Sequence, residues 1–182
     1  MDRYEPLRRR TIALVGLMGV GKSSVGRRLA NALGLPFRDA DAEVEAAAGR
    51  SIPEIFAELG EPAFRDGERR VIARLLEGPP IVLATGGGAF MNPETRALIK
   101  ARALSIWLQA DLEVLARRVG RKDSRPLLAG KDPLEVLRAQ AEARYPAYAE
   151  ADIAVETGDT AHHITVGQVI DAMFKHLGEP AE

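Results

Sequence analysis

The sequence lacks cysteine altogether. This absence excludes disulfide bonds, thiolate metal sites and a cysteine nucleophile. Long apolar runs are missing too, and no stretch approaches the length of a membrane-spanning helix. The first apolar run follows an arginine-rich start and ends at Gly16, which is too early for a secretory signal peptide. We therefore expect a cytoplasmic protein with no membrane partner.

An excess of charge of one sign is also missing. Lys and Arg total 25 against 26 Asp and Glu, so the formal net charge is −1. Such a balance gives no electrostatic case for a nucleic-acid partner, and any affinity for phosphate must come from locally placed groups. With 182 residues and 46% hydrophobic residues, the chain fits one compact domain over residues 1–182, and we expect a monomer.

Short apolar runs alternate along the chain with longer segments of helical periodicity. This alternation predicts an α/β fold, a three-layer doubly wound sheet of five parallel strands with helices on both faces. A polar, glycine-flanked stretch at 120–131 predicts a mobile loop. The predicted strands are 11–15, 35–38, 81–84, 103–108 and 153–155, and the predicted helices are 22–33, 42–48, 51–59, 62–76, 112–119, 133–143 and 164–177.

A phosphate-binding loop is predicted at residues 16–23, where GLMGVGKS fits the pattern G-x-x-x-x-G-K-[ST]. The glycines let successive backbone N–H groups point at phosphate oxygens. Lys22 can reach the β- and γ-phosphates, and the Ser23 hydroxyl can ligate Mg²⁺. The alternative is a glycine-rich turn that carries Lys-Ser by chance. A predicted strand before the loop and a predicted helix after it favour nucleotide binding.

A carboxylate for the metal is expected elsewhere in the chain. Many phosphate-binding loops are paired with an Asp at the end of an apolar strand, but the strand at 81–84 runs into Thr85 and three glycines. Asp39 and Asp41 follow the second strand instead, at the sheet edge where open α/β sheets bind ligands. Such a pair is often a solvated turn or a helix cap. Here we expect one carboxylate to face the metal and the other an acceptor hydroxyl.

Six motifs, in order, resemble those of the shikimate kinases. The resemblance covers about residues 11–155, and its paired Asp, FR-x-x-E and triple glycine are far narrower signals than the phosphate-binding loop. It implies a P-loop fold like that of nucleoside-monophosphate kinases, a substrate-binding helical segment at about 40–76 and a mobile lid at about 118–131. The motifs are GLMGVGKS at 16–23, DAD at 39–41, FRDGE at 64–68, GGG at 86–88, RPLL at 125–128 and RYPAY at 144–148.

The resemblance implies a reaction and its acceptor site. ATP would phosphorylate the 3-hydroxyl of shikimate with Mg²⁺ as cofactor, on the route to chorismate and the aromatic amino acids. Arg65 and Arg144 would clamp the substrate carboxylate, and guanidinium forks suit that geometry. Glu68 would orient Arg65 or contact the substrate, although on spacing alone an Arg/Glu pair three residues apart is a surface ion pair. The backbone N–H groups of Gly86, Gly87 and Gly88 would approach substrate oxygens.

The resemblance also implies the catalytic and nucleotide contacts. Asp41 would hold the accepting hydroxyl, as a base or as a positioning group, while Asp39 would act on Mg²⁺ beside Ser23. Lys22 and Arg125 would absorb charge on the transferred group. Arg118 would flank the adenine. The predicted ATP-binding residues are Gly19, Val20, Gly21, Lys22, Ser23, Ser24, Arg118 and Arg125.

One departure and two rival interpretations remain. Residues 156–163 lack the basic residue and proline that the family often has near adenine, so the distal adenine contacts stay open, and His162 and His163 are expected at the surface. The first rival is another small-metabolite kinase, of the gluconate or nucleoside-monophosphate type. The second is a non-catalytic ATP-binding module that regulates a partner. The segment at 1–10 is interpreted as an extension with no assigned role.

Overall fold

A computed structural model of the chain describes residues 2–120 and 130–179. Its centre is a sheet of five strands, β1 Thr11–Val15, β2 Phe37–Asp39, β3 Val82–Ala84, β4 Ala103–Gln109 and β5 Ile153–Glu156. Their order in the sheet is β2-β3-β1-β4-β5, with each pair of neighbours parallel. The predicted α/β class and the five parallel strands are therefore confirmed.

Helices cover both faces of the sheet, and two short 3₁₀ segments accompany them, at Glu5–Arg8 and Ala89–Met91. The helices are α1 Lys22–Leu33, α2 Ala40–Ala48, α3 Ile52–Leu59, α4 Glu61–Glu77, α5 Pro93–Arg102, α6 Leu112–Val119, α7 Pro133–Tyr148 and α8 His162–Leu177.

Two helices differ from the sequence prediction. Helix α5 was not predicted at all, although it begins with a strong signal. The Asn92 side chain accepts hydrogen bonds from the backbone N–H groups of Glu94 and Thr95, and Pro93 occupies the first turn. Helix α7 was predicted to end at residue 143 but continues through Pro146 to Tyr148. Both differences concern helices that flank the site described below.

The main hydrophobic core lies on both faces of the central strands, and every residue of β1 is buried. Runs without polar alternation are typical of parallel strands covered on both sides. The N-terminal segment adds to this core, because Leu7 is buried and the ring of Tyr4 stacks on Phe174 of α8. Part of the segment interpreted as an extension therefore packs against the body of the protein.

A second, smaller hydrophobic cluster lies in helices α2, α3 and α4, which contact one another. Its buried members are Val44, Ile55, Phe64 and Val71. The segment at 40–76 therefore has a small core of its own beside the main one. Phe64 is part of that packing.

The carboxyl ends of three adjacent strands carry the predicted site residues. Strand β1 leads into residues 16–23, β2 into Asp39 and Asp41, and β3 into the three glycines. Parallel strands bring such ends to one edge of the sheet, where open α/β folds bind ligands. Within residues 2–120 and 130–179, no helix combines the length and the apolar character needed to cross a lipid bilayer.

Candidate active site

The loop at 16–23 has the backbone conformation of a phosphate-binding loop, called the phosphate cradle below. Gly16, Gly19 and Gly21 have φ values of 146°, 82° and 98°, a region that residues with a side chain rarely adopt. A Cβ at Gly16 would also stand 2.6 Å from the carbonyl oxygen of Leu108. Helix α1 then begins at Lys22 without a side-chain cap. The first N–H groups of α1 are thus left for an anion, on the positive end of the helix dipole.

Lys22 is buried against the loop that it serves. Its Nζ donates to the carbonyl oxygens of Gly16, at 2.6 Å, and Leu17, at 3.0 Å. These bonds hold the ammonium group over the cradle. The side chain of Val20, which was also predicted to bind ATP, is buried in the core. Its backbone N–H donates to the carbonyl oxygen of Leu17 at 3.4 Å.

Ser23 and Asp39 meet across the gap between α1 and β2. The Ser23 hydroxyl donates to Asp39 Oδ2 at 2.5 Å, while Asp39 Oδ1 accepts from the N–H groups of Asp41 and Ala42 at 3.0 and 3.3 Å. Asp39 therefore caps α2 and also faces the phosphate-binding loop. One hydroxyl and one carboxylate suit Mg²⁺, which keeps several waters and takes further ligands from substrate phosphates. No larger cluster of His, Cys, Asp or Glu that could hold a metal occurs in the described part of the chain.

A cleft of about 560 Å³ runs along this edge of the sheet. It joins the phosphate-binding loop to the two aspartates, to Gly86 and Gly87, and to the residues at the start of α8. Most residues predicted from the sequence to bind ATP, metal or acceptor are therefore brought together. The cleft is lined by Met18, Gly19, Gly21, Lys22, Ser23, Ser24, Asp39, Asp41, Thr85, Gly86, Gly87, Arg118, Asp159, Thr160, Ala161 and His162.

The glycine corner, residues 86–88, meets a different charged group at each position. A Cβ at Gly86 would stand 2.7 Å from Glu68 Oε2 and 2.9 Å from Asp41 Oδ1. One at Gly87 would stand 3.0 Å from Arg144 Nη1. One at Gly88 would stand 2.6 Å from three atoms of the Arg65 guanidinium. The missing Cβ atoms of the three glycines thus leave room for the ends of four charged side chains against the backbone.

The Arg65–Glu68 pair is not the surface ion pair that its spacing alone indicates. Arg65 Nη1 donates to Glu68 Oε1 at 3.0 Å, and the Glu68 side chain is only 3% exposed. Arg65 also lies over the Phe64 ring at 5.1 Å and pairs with Glu61 at 3.4 Å. Two carboxylates and an aromatic ring thus hold the guanidinium against Gly88.

Glu68 is the most strongly buried carboxyl group of the site. Burial raises its pKa above the usual range, although the nearby Arg65 opposes the shift. Its Oε2 is buried without a hydrogen-bond partner and lies against Gly86, on the same side as Asp41. An unpaired buried acceptor costs stability in the ligand-free protein.

Replacing Glu68 with glutamine is expected to stabilise the ligand-free protein as the pH rises. The folded pKa of Glu68 lies above its unfolded value, so its contribution to stability is complete below the unfolded pKa and is lost as the pH rises through the folded pKa. Glutamine does not titrate. The free energy of unfolding of Glu68→Gln, relative to wild type, should therefore increase as the pH rises through that window.

Urea denaturation at a series of pH values measures this gain. The matched control is Glu58→Gln, since Glu58 forms an exposed ion pair with Arg50 and carries no such burial. The control should shift stability by less than about 0.5 kcal/mol at any pH. A Glu68→Gln effect that does not change with pH would contradict the expectation.

Arg118 and His162 lie at the distal end of the cleft. Arg118 donates to the carbonyl oxygens of Gly19 and Gly158, both at 3.3 Å, and so links the phosphate-binding loop to the loop after β5. His162 is half-buried, and a Cβ at Gly21 would stand 3.5 Å from its Cε1. Burial lowers the pKa of His162, with smaller contributions from Arg28 and Arg118.

His163 is exposed as expected, and His162, expected at the surface near a helix start, is the half-buried first residue of α8 and lines the cleft. A signal for His162 was present, because it follows the carboxyl end of β5 and starts α8 at the ligand-binding edge of the sheet. Tyr148 was also missed as an individual residue, although it closes the RYPAY motif. Arg125 and the greater part of the predicted lid lie outside the described residues.

Comparisons with known proteins agree with this geometry. The family model of shikimate kinase matches residues 18–176. A shikimate kinase of Caulobacter vibrioides is 74% identical over 172 residues, which cover 94% of this chain and 86% of that protein. One of Paramagnetospirillum magneticum is 60% identical over 168 residues, 92% of this chain and 86% of that protein. The solved structure of a shikimate kinase from Acinetobacter baumannii in complex with shikimate superposes with a TM-score of 0.90 at 36% identity, covering 94% of this chain and 97% of that one.

Proposed function

Because this chain belongs to the shikimate kinase family, we propose that it transfers the γ-phosphate of ATP to the 3-hydroxyl of shikimate, giving shikimate 3-phosphate and ADP. One observation supports this most directly. The phosphate cradle and the arginine-bearing glycine corner lie on the same sheet edge, with Asp41 between them. A phosphate donor and a carboxylated acceptor can therefore be held side by side.

The donor side of the proposal rests on residues 16–24. Backbone N–H groups of the loop and of the first turn of α1 would bind the phosphates, and Lys22 would leave the carbonyls of Gly16 and Leu17 for the β- and γ-phosphate oxygens. Arg118 would flank the base, since it already spans Gly19 and Gly158. Phosphoryl transfer depends mainly on such alignment and on charge stabilisation.

We further propose that Ser23 and Asp39 hold the Mg²⁺ ion of the nucleotide. Their contact supplies one hydroxyl and one carboxylate beside the phosphate-binding loop. Mg²⁺ bound to the nucleotide neutralises charge on the β- and γ-phosphates. Asp39 is also kept in place by its role as the cap of α2, in which Oδ1 accepts from the backbone, so its other oxygen, Oδ2, is turned towards Ser23 and the loop.

The acceptor side of the proposal rests on the two arginines of the glycine corner. Arg65 stands against Gly88 and Arg144 against Gly87, so their guanidinium groups flank one short stretch of backbone. A carboxylate between them would accept charge-assisted hydrogen bonds from both. Glu68 would keep Arg65 oriented through their 3.0 Å hydrogen bond. This arrangement selects an acceptor that is an anion as well as an alcohol.

The transfer step follows from this placement. The 3-hydroxyl oxygen attacks the γ-phosphorus, the bond from that phosphorus to the oxygen bridging the β-phosphate breaks, and ADP leaves. Asp41 takes the hydroxyl proton or orients the hydroxyl, since its carboxylate lies beside Gly86 at the mouth of the corner. Lys22 stabilises the charge on the transferred group. Arg125, outside the described residues, is assigned to the same charge. We also propose that the protein acts as a monomer.

A coupled ADP-release assay with an acceptor panel tests the function. Turnover with Mg-ATP is expected with shikimate and not with gluconate, AMP or no acceptor. Arg65→Ala should raise the KM for shikimate by about a hundredfold or more, because truncating one partner of a buried charge pair costs 2–5 kcal/mol or so. Its affinity for ATP, measured by calorimetry, should stay unchanged.

The matched control for Arg65→Ala is Arg70→Ala. Arg70 lies on the same helix, but its side chain is 73% exposed and pairs with Asp66 away from the cleft. If shikimate releases no more ADP than the blank, the proposed acceptor is wrong, and a response to gluconate or AMP would identify the replacement. ATP binding without turnover on any acceptor would favour a regulatory module.

A further inference from the structure

Tyr148 carries a buried hydroxyl group at the edge of an aromatic cluster, close to Arg144 and Arg65. The residue is 1% exposed, and its ring packs against the rings of Phe90, Trp107 and Tyr145 at centroid distances of 6.4, 5.7 and 6.4 Å. Phenylalanine would satisfy this packing equally well. A buried hydroxyl costs free energy unless it forms a hydrogen bond, so the partner of this hydroxyl indicates its role.

That contact is with the glycine corner. The Tyr148 hydroxyl donates to the carbonyl oxygen of Gly87. The carbonyls on either side have backbone donors, since Gly86 accepts from Ala89 at 3.2 Å and Gly88 from Met91 at 3.1 Å. With the hydrogen bond from Tyr148, the carbonyl oxygen of each of the three glycines has a hydrogen-bond donor. Burial raises the pKa of Tyr148 to about 12, so the group remains a proton donor at any pH that the enzyme meets.

The orientation of this carbonyl sets the orientation of the next amide. In a planar trans peptide, the Gly87 C=O and the Gly88 N–H point in opposite directions. Glycine backbone is the least restrained of all, so the peptide between two glycines needs an external contact to keep one orientation. The hydrogen bond from Tyr148 provides that contact, and it aims the Gly88 N–H away from the aromatic cluster.

The same helix also carries one of the two arginines. Arg144 and Tyr148 are four residues apart on α7 and so share a face of the helix. Gly87 contacts both, because its carbonyl accepts from Tyr148 and its Cα faces Arg144 Nη1. Gly87 therefore ties the corner to α7 beside the Arg144 guanidinium, which also interacts with the Tyr148 hydroxyl.

We propose that the Tyr148 hydroxyl is a positioning group for carboxylate recognition. It holds the Gly87–Gly88 peptide in one orientation and keeps Arg144 opposite the corner, so that the acceptor's carboxylate meets a preformed set of donors. The inference rests on the proposed function, since it concerns how that acceptor is recognised. Tyr148 does not touch the reacting atoms in this proposal.

Tyr148→Phe removes the hydroxyl and keeps the ring, and steady-state kinetics with shikimate and its methyl ester measure the result. The KM for shikimate should rise about tenfold, as expected for one lost hydrogen bond to an ordered site. The KM values for ATP and for the neutral ester should change by less than about twofold, and kcat with shikimate should stay close to wild type. The preference of the enzyme for the acid over the ester should shrink accordingly.

Tyr145→Phe is the matched control, because Tyr145 lies in the same aromatic cluster, where its ring meets Trp107 at 5.1 Å, and the same atom is removed. It should leave the acid-to-ester preference unchanged. para-Aminophenylalanine at position 148 restores an N–H donor in the same space. It should recover the wild-type KM for shikimate, and it keeps the test decisive if the phenylalanine variant folds poorly.

The outcomes separate this inference from the proposed function. A wild-type protein without activity on shikimate overturns both. An active wild type whose Tyr148→Phe variant behaves like wild type overturns the positioning role alone. Equal weakening of shikimate and its ester in Tyr148→Phe would also overturn it, because that pattern indicates general loosening of the fold.

Discussion

Replacing Lys22 with methionine is expected to lower kcat by about a thousandfold, the effect of losing one preorganised donor to developing charge. In the ligand-free protein this side chain is only 9% exposed, and its ammonium group is bound to two carbonyl oxygens of the phosphate-binding loop. Methionine keeps the length and the apolar stem, so the fold should survive. Stopped-time ADP release at saturating ATP and shikimate measures kcat, and thermal unfolding verifies the fold.

Lys100→Met provides the control for Lys22→Met. Lys100 lies on α5, where its ammonium group forms an exposed ion pair with Glu150. Its replacement makes the same chemical change away from the cleft and should leave kcat within about twofold of wild type, because exposed ion pairs contribute little. A kcat for Lys22→Met within tenfold or so of wild type would show that Lys22 is not the group that stabilises the transferred phosphate.

Replacing Asp41 with asparagine is expected to lower kcat by about two to four orders of magnitude, the range for loss of a general base. Asparagine preserves the size of the side chain and its acceptor oxygen beside Gly86 but cannot take a proton at neutral pH. The KM for shikimate should therefore change by only a few-fold. Steady-state kinetics separate the two constants.

Asp66→Asn is the corresponding control, since Asp66 pairs with Arg69 and Arg70 on the outer side of α4. It should behave like wild type. If Asp41→Asn raises the KM for shikimate and leaves kcat intact, Asp41 only orients the hydroxyl, and the proton must leave by another route. That result would contradict the role of base while leaving the acceptor assignment in place.

Local sequence patterns predicted the donor half of the site well. The cradle, the start of α1 and the position of Lys22 all depend on residues within one short loop, so glycine spacing alone could specify them. Asp39 was placed at the correct strand end, and the structure adds that it also caps α2. Its contact with Ser23, sixteen residues away, follows from the sheet order, and before the structure only the family resemblance placed the two residues side by side.

Two flanking helices were harder to predict for identifiable reasons. Helix α5 buries only Thr95 and Ile99 among its residues, so its hydrophobic periodicity is faint despite the strong cap at Asn92. Helix α7 contains Pro146, which removes a backbone donor and is usually a sign that a helix has ended. Packing of Tyr148 in the aromatic cluster outweighs that local penalty. Tertiary contacts, which a local pattern does not contain, therefore matter for the existence of α5 and for the end of α7.

The proposed acceptor site depends on distances between side chains of α4 and α7 and the glycine corner, and a sequence motif does not contain such distances. The FR-x-x-E and triple-glycine motifs could be recognised, but their mutual packing could not be deduced, because α4 and α7 reach the corner from separate parts of the chain. The same limit applies to His162, whose place in the cleft depends on how α8 begins against Gly21. Composition could only indicate an exposed histidine near a helix start.

The glycine corner also constrains how this protein can evolve. Any side chain at positions 86–88 would push aside the end of a charged side chain, a carboxylate at 86 or a guanidinium at 87 and 88. Under the proposed function, a mutation there disturbs recognition of the present acceptor before it can favour another. Adaptive paths towards other acceptors must therefore start from the surrounding helices, and the corner itself should stay fixed while its surroundings diversify.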